Sequence, residues 1–94
     1  MNLESEEMAP VAYAAIIERG KDGFGVFFPD LPGCTSWGAT VQDAECNAAE
    51  ALGAHLFCMA EAGEEIPSAS DLDSIASDPD VDEVARILVR AEGP

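Results

Sequence analysis

The stretch VAYAAIIERGKDGFGVFFPDLPGC, residues 11–34, decides the fold. Val11 to Glu18 is rich in strand formers, and Arg19-Gly20-Lys21-Asp22-Gly23 supplies turn residues before a second apolar run, Phe24 to Phe28. The pattern predicts a β-hairpin. Pro29 has no N–H to give a ladder, and Asp30-Leu31-Pro32-Gly33 holds residues that reverse a chain, so the second strand must stop there and turn back. Cys34 to Trp37 then reads as a short third strand.

Towards the C-terminus, Gly38-Ala39-Thr40 leads into a helix. Thr40 is placed to cap it, and Asp43 sits in the first turn, where a carboxylate suits the positive end of the helix dipole. Val41, Ala44, Ala48, Leu52, His55, Leu56 and Met59 recur at three- and four-residue spacing and give one stripe for packing on a sheet, with Gly63 as the stop. Ser68 to Glu83 is rich in Asp and reads as a solvated connector with one helical turn at Asp71 to Ala76. Val84 to Ala91 is a fourth strand, with Arg86, Leu88 and Arg90 on one face and Ile87, Val89 and Ala91 on the other. The expected fold is α+β in the order β-β-β-α-β: a three-stranded antiparallel sheet, one main helix packed on it, and a fourth strand parallel to the first after a helical crossover. Residues 1–10 are expected to be a flexible extension and 11–94 a single domain.

Composition narrows the function. The 94 residues include 19 Asp and Glu against 4 Lys and Arg, a net charge of −15, which makes direct binding to a phosphate backbone unfavourable and favours a basic protein partner. Cys34, Cys46 and Cys58 are odd in number and lack CxxC spacing, so they predict neither a disulfide framework nor a zinc site and read as small buried apolar residues. The acidic N-terminus is unlike a secretory signal and no apolar run is long enough to span a bilayer, which predicts a cytoplasmic protein.

Few residues are placed for chemistry. His55, the single histidine, lies on the helix's apolar stripe and reads as structural; Cys34 has no base near it in sequence. A metal-dependent nuclease would need carboxylates to converge, with Glu18, Asp30, Asp43, Glu45 and Glu50 as candidates by location only. No enzyme, metal or cofactor is predicted. Alternation instead turns some of the aromatics around the second and third strands away from the helix, where they need a partner. Asp22, Phe24, Asp30, Leu31 and Trp37 form the expected partner-binding set.

The run from Tyr13 to Ser70, above all FPDLPGC at 28–34, then Trp37-Gly38-Ala39-Thr40, Asp43-Ala44, Ala48-Ala49-Glu50-Ala51 and Ile66-Pro67, resembles the HicB-like antitoxin family. The resemblance implies a partial RNase H-like fold, a homodimer or homotetramer, and the antitoxin role in a type II toxin-antitoxin pair whose toxin, HicA, is a small basic mRNA-cleaving protein. It offers no catalytic residue to carry over. Pro29, Pro32, Gly33, Gly38 and Thr40 in the matching motif read as architectural: strand end, turn residues and helix cap. Many relatives continue into a C-terminal DNA-binding segment, whereas this sequence reaches Pro94 without a basic helix, so no DNA-binding domain is expected. The competing expectation is an orphan oligomeric module that binds another protein or a small ligand in a pocket between helix and sheet.

Overall fold

A computed structural model describes residues 12–91, so the expected flexible extension at 1–10 lies outside the described residues. Strand β1 is Ala12–Arg19, β2 Phe24–Phe27 and β3 Thr35–Gly38; helix α1 is Val41–Glu61 and strand β4 is Glu83–Arg90. The strands form one sheet in the order β3-β2-β1-β4. Every neighbouring pair is antiparallel, with Ile16 opposite Phe27, Gly25 opposite Trp37, and Ala12 opposite Arg90.

The direction of β4 corrects the expected parallel fourth strand, and the sheet has four strands where three were expected to make the antiparallel part. A helical crossover delivers a parallel strand only if the chain enters that strand where the helix ends. Here the connector after α1 makes a further pass. It begins near Tyr13, whose hydroxyl donates to the carbonyl of Pro67, and reaches the opposite end of β1, where the Arg19 amide donates to Asp82 O at 2.9 Å. The chain therefore enters β4 beside the end of β1 and runs back along it.

Because β1 is central, both of its faces are covered, which is why AYAAII reads as an unbroken apolar run and not as an alternation. Tyr13, Ala15 and Ile17 face α1, together with Val26 and Val89, and meet Ala44, Ala48 and Leu52 of the helix. Leu52 is fully enclosed; burying a side chain of its size contributes about 1.5–3 kcal/mol. The small residues let the helix start close in. A Cβ on Gly38 would lie 2.7 Å from Ala44 Cα, so only glycine fits where β3 runs into α1.

The helix ends follow local chemistry. Thr40 Oγ1 accepts from the Asp43 amide at 3.0 Å as the N-cap. At the other end Gly63 takes φ 74°, and the amides of Gly63 and Glu64 donate to Ala60 O and Met59 O, the paired bonds of a Schellman stop. The 28–34 motif makes two successive turns, with Leu31 N donating to Phe28 O at 2.9 Å and Cys34 N to Leu31 O at 3.0 Å. Pro32 and Gly33, with φ 89° at Gly33, supply the central positions of the second turn. Phe28, Leu31 and Cys34, three apart, all point inward and close one end of the core.

Candidate functional site

The sheet face away from α1 carries the features that need explaining. Residues alternate along each strand, so Ile16 and Glu18 of β1, Gly25 and Phe27 of β2, Thr35 and Trp37 of β3, and Arg86 and Leu88 of β4 share this outer face. One side of it is occupied by the connector. Arg86 donates from Nη1 to Leu72 O and Ile75 O, both at 2.8 Å, and its Nε and Nη2 donate to the two Glu83 oxygens at 2.7 and 3.0 Å. That fork raises the guanidinium pKa further and holds the Glu83 carboxyl below its usual range, the hydrogen bond between them being the main cause in each case.

The connector is thus not the fully solvated link its aspartates suggest. Leu72, Ile75 and Val81 are half-buried, and the helical turn expected at 71–76 is a single 3-10 turn, Leu72–Ser74. Between connector and sheet lies a hollow of about 170 Å³ lined by Ile16, Phe27, Pro29, Ile75, Ala76, Asp78, Val81 and Glu83. Beyond it, towards β3, the face is open. Trp37 is 52% exposed there, although its backbone is fixed by Asn47 Nδ2, which donates to Trp37 O at 2.9 Å.

The five expected partner-binding residues are not one patch. Trp37 and Asp22 are exposed and lie at the same end of the sheet, because the indole rests over Gly23, the neighbour of Asp22. Phe24 faces the helix side, half-buried against the core with the Arg19 guanidinium 5.7 Å from its ring centroid. Asp30 is engaged internally, since its two oxygens accept from Ser70 N at 2.6 Å and Ser70 Oγ at 2.7 Å, which ties the connector to the 28–34 loop. Leu31, at 1% exposure, is core, because the double turn carries it inward; it presents nothing to a partner. Pro29, Pro32, Gly33, Gly38 and Thr40 occupy the turn, close-contact and cap positions described above.

The cysteine expectation holds for one of three. Cys34 is buried with its thiol 3.8 Å from Ala51 O, and burial raises its pKa, whereas Cys46 and Cys58 are exposed on α1. Neither Cys46 nor Cys58 belongs to the stripe expected to pack on the sheet, and of α1 only the stripe residues Ala44, Ala48 and Leu52 are fully buried, a narrower contact than the helix's apolar content suggests. His55 is half-exposed beside Cys34 and Cys58 in a shallow groove of about 280 Å³ at the rim of the helix. Among the described residues no group of three or more His, Cys, Asp or Glu is placed to hold a metal ion: Asp30 is bonded to Ser70, Asp43 sits in the first turn of α1, and Glu45 and Glu50 are exposed on it. Among them too, no helix is long and apolar enough to cross a membrane.

Two features of this face are hidden in the sequence. Arg86 has the look of an ordinary surface cation, and nothing local announces that it clamps a segment that precedes it by more than ten residues. Glu18 stands out in the sequence only as a possible metal ligand, yet it lies beside Gly25 on the outer face.

Known proteins with this architecture agree on its ancestry. Residues 13–92 match the family model described as HicB_like antitoxin of bacterial toxin-antitoxin system. The chain is 38% identical over 68 residues to the uncharacterized 14.9 kDa protein of the rep-hol intergenic region of Haemophilus phage HP1 (strain HP1c1). That match covers 72% of this chain and 51% of the phage protein, so the chain spans about half the length of this curated relative. Among solved structures, the N-terminal domain of the Burkholderia pseudomallei antitoxin HicB aligns with TM-score 0.72 at 28% identity, covering 87% of this chain and 99% of that one. A chain of the HicA3 and HicB3 toxin-antitoxin complex aligns with TM-score 0.74 at 28% identity, covering 88% and 100%. With the family match extending over nearly all the described residues, and with a fold shared with HicB domains, this chain belongs to the HicB-like antitoxin family of bacterial toxin-antitoxin systems.

Proposed function

We propose that this chain is the antitoxin of a type II toxin-antitoxin pair and silences a small basic HicA-type mRNA-cleaving toxin by binding it directly. One observation carries the binding part: an indole, Trp37, held 52% exposed on an open sheet face of a chain with net charge −15. Opposite potentials speed encounter with a basic protein and penalise acidic competitors, while a fixed aromatic supplies the contact that becomes strong once water leaves. Family membership supports the role, as does the presence of a similar chain in the HicA3 and HicB3 complex. On the same reading the protein acts in the cytoplasm without catalysis, self-associates as a dimer or tetramer, and makes no direct nucleic-acid contact.

Co-expression with a neighbouring small basic reading frame tests this. Growth should be rescued and the two proteins should co-purify in a complex that weakens as salt rises. No rescue and no complex would defeat the antitoxin reading. The rival, a module for a small ligand held between helix and sheet, would draw on the shallow groove of about 280 Å³ at the helix rim, whereas the larger hollows of about 810 and 490 Å³ along the connector lie open to solvent and enclose no ligand-sized space.

A further inference from the structure

The cross-strand row Glu18, Gly25, Trp37 has a glycine at its centre that the molecule itself does not require. Gly25 is absent from the positions of positive φ, so its backbone conformation is open to any residue. A Cβ there would lie 3.6 Å from Glu18 Cγ and 3.7 Å from Glu18 Oε2, ordinary contact distances. A glycine inside a strand costs stability relative to a branched residue and often marks the close approach of something from outside. Gly23 differs: a Cβ on it would come within 2.9 Å of Trp37 Cε2 and would displace the ring, so that glycine seats the indole. In the ladder Gly25 thus stands between Glu18, whose side chain lies beside it, and Trp37, whose indole leans over Gly23, and the gap between the two side chains is a notch one residue wide. Among the described residues the Glu18 carboxylate has no cationic partner, since Arg19 pairs with Asp82 and Arg86 with Glu83.

We propose that the Glu18–Gly25–Trp37 notch receives an arginine side chain of the basic partner, its guanidinium lying flat over Gly25, stacked against Trp37 and hydrogen-bonded to Glu18. A planar cation with forked donors matches an indole wall and a carboxylate better than the round, strongly hydrated ammonium of lysine does. The charge of −15 favours such an occupant over any acidic or neutral one. The inference rests on the antitoxin reading only for which protein carries the arginine.

Trp37 is the single tryptophan, so its fluorescence reports the notch directly. The full chain is titrated with an amidated tetra-arginine peptide, and with tetra-lysine at equal charge, in about 50 mM salt, where exposed charges are only partly screened. Saturable change in Trp37 emission is expected, with tetra-arginine binding at least roughly fivefold tighter than tetra-lysine and the affinity falling roughly tenfold in Glu18→Gln and in Gly25→Val. Glu18→Asp should recover part of the loss. Gly25→Val adds a branched residue to a strand at ordinary contact distance, and far-UV circular dichroism checks that it folds. Equal affinity for the two peptides, or both variants within twofold of the native chain, would overturn the inference. Growth rescue separates the two claims. Full rescue and an unweakened toxin complex with both variants would overturn the arginine site and leave the antitoxin reading; failed rescue beside an intact peptide response would do the reverse.

Discussion

Tyr13 is the single tyrosine, and its hydroxyl donates to the Pro67 carbonyl where the connector leaves α1. Burial raises its pKa above the ordinary 10.0, and the nearby Asp30 charge raises it further. The folded state thus prefers the neutral phenol. Its contribution is fully present below the unfolded pKa and is lost as pH rises through the folded one. Tyrosinate absorbance should accordingly show a midpoint above 10.0 in the native chain that returns to the ordinary value in denaturant, and a native midpoint at the ordinary value would contradict the burial of the phenol. Sequence shows less at this scale than at any other. Trp37 and Leu31 look equally fit for a partner in the sequence, and only the double turn at 28–34, which points every third residue inward, separates them. Asp30 has the look of a free surface acid, yet Ser70, forty residues later, occupies both its oxygens.

Elements are more legible, because caps and turns are local. Thr40, Gly33 and Gly63 stand where sequence chemistry places them. Replacing Thr40 by Ala removes the acceptor for the Asp43 amide and should lower stability by about 1 kcal/mol, read as a shifted urea midpoint with an unchanged slope. A midpoint that does not move would mean that water satisfies that amide as well. The direction of β4 is not legible. Spacing alone permits a crossover, and what reverses the strand is a set of contacts between distant residues: Tyr13 with Pro67, Asp30 with Ser70, and Arg86 with Leu72 and Ile75. Each pins the connector to a place along the sheet, and together they carry it the full length of β1 before β4 begins.

At the scale of the whole molecule, charge is the clearest message and is readable from composition. A chain of −15 repels itself, and the few ion pairs among the described residues, one of them the exposed Arg19–Asp82 contact at 3.6 Å, offset little of that. Raising sodium chloride from about 10 mM to about 300 mM shortens the screening length several-fold. The melting temperature should climb by roughly 4–8 °C, equivalent to ~1 kcal/mol for a domain of this size. A flat or falling melting temperature would show that self-repulsion does little to limit the stability of the fold. The same salt that steadies the isolated chain should loosen its grip on a basic partner, so the two dependences have opposite sign.

The ladder between β1 and β4 also has a mechanical meaning. Ala12 lies opposite Arg90, so the first residue of β1 and the last of β4 meet at the same end of the sheet. Antiparallel bonds run across the strands, and a force drawing those two ends apart loads one bonded pair at a time instead of sharing the load along all eight residues of β4. The strand pair opens like a zipper, not like a lap joint under shear. This edge pairing is therefore weak against a machine that pulls the two ends of the ladder apart, whatever the stability of the fold against heat.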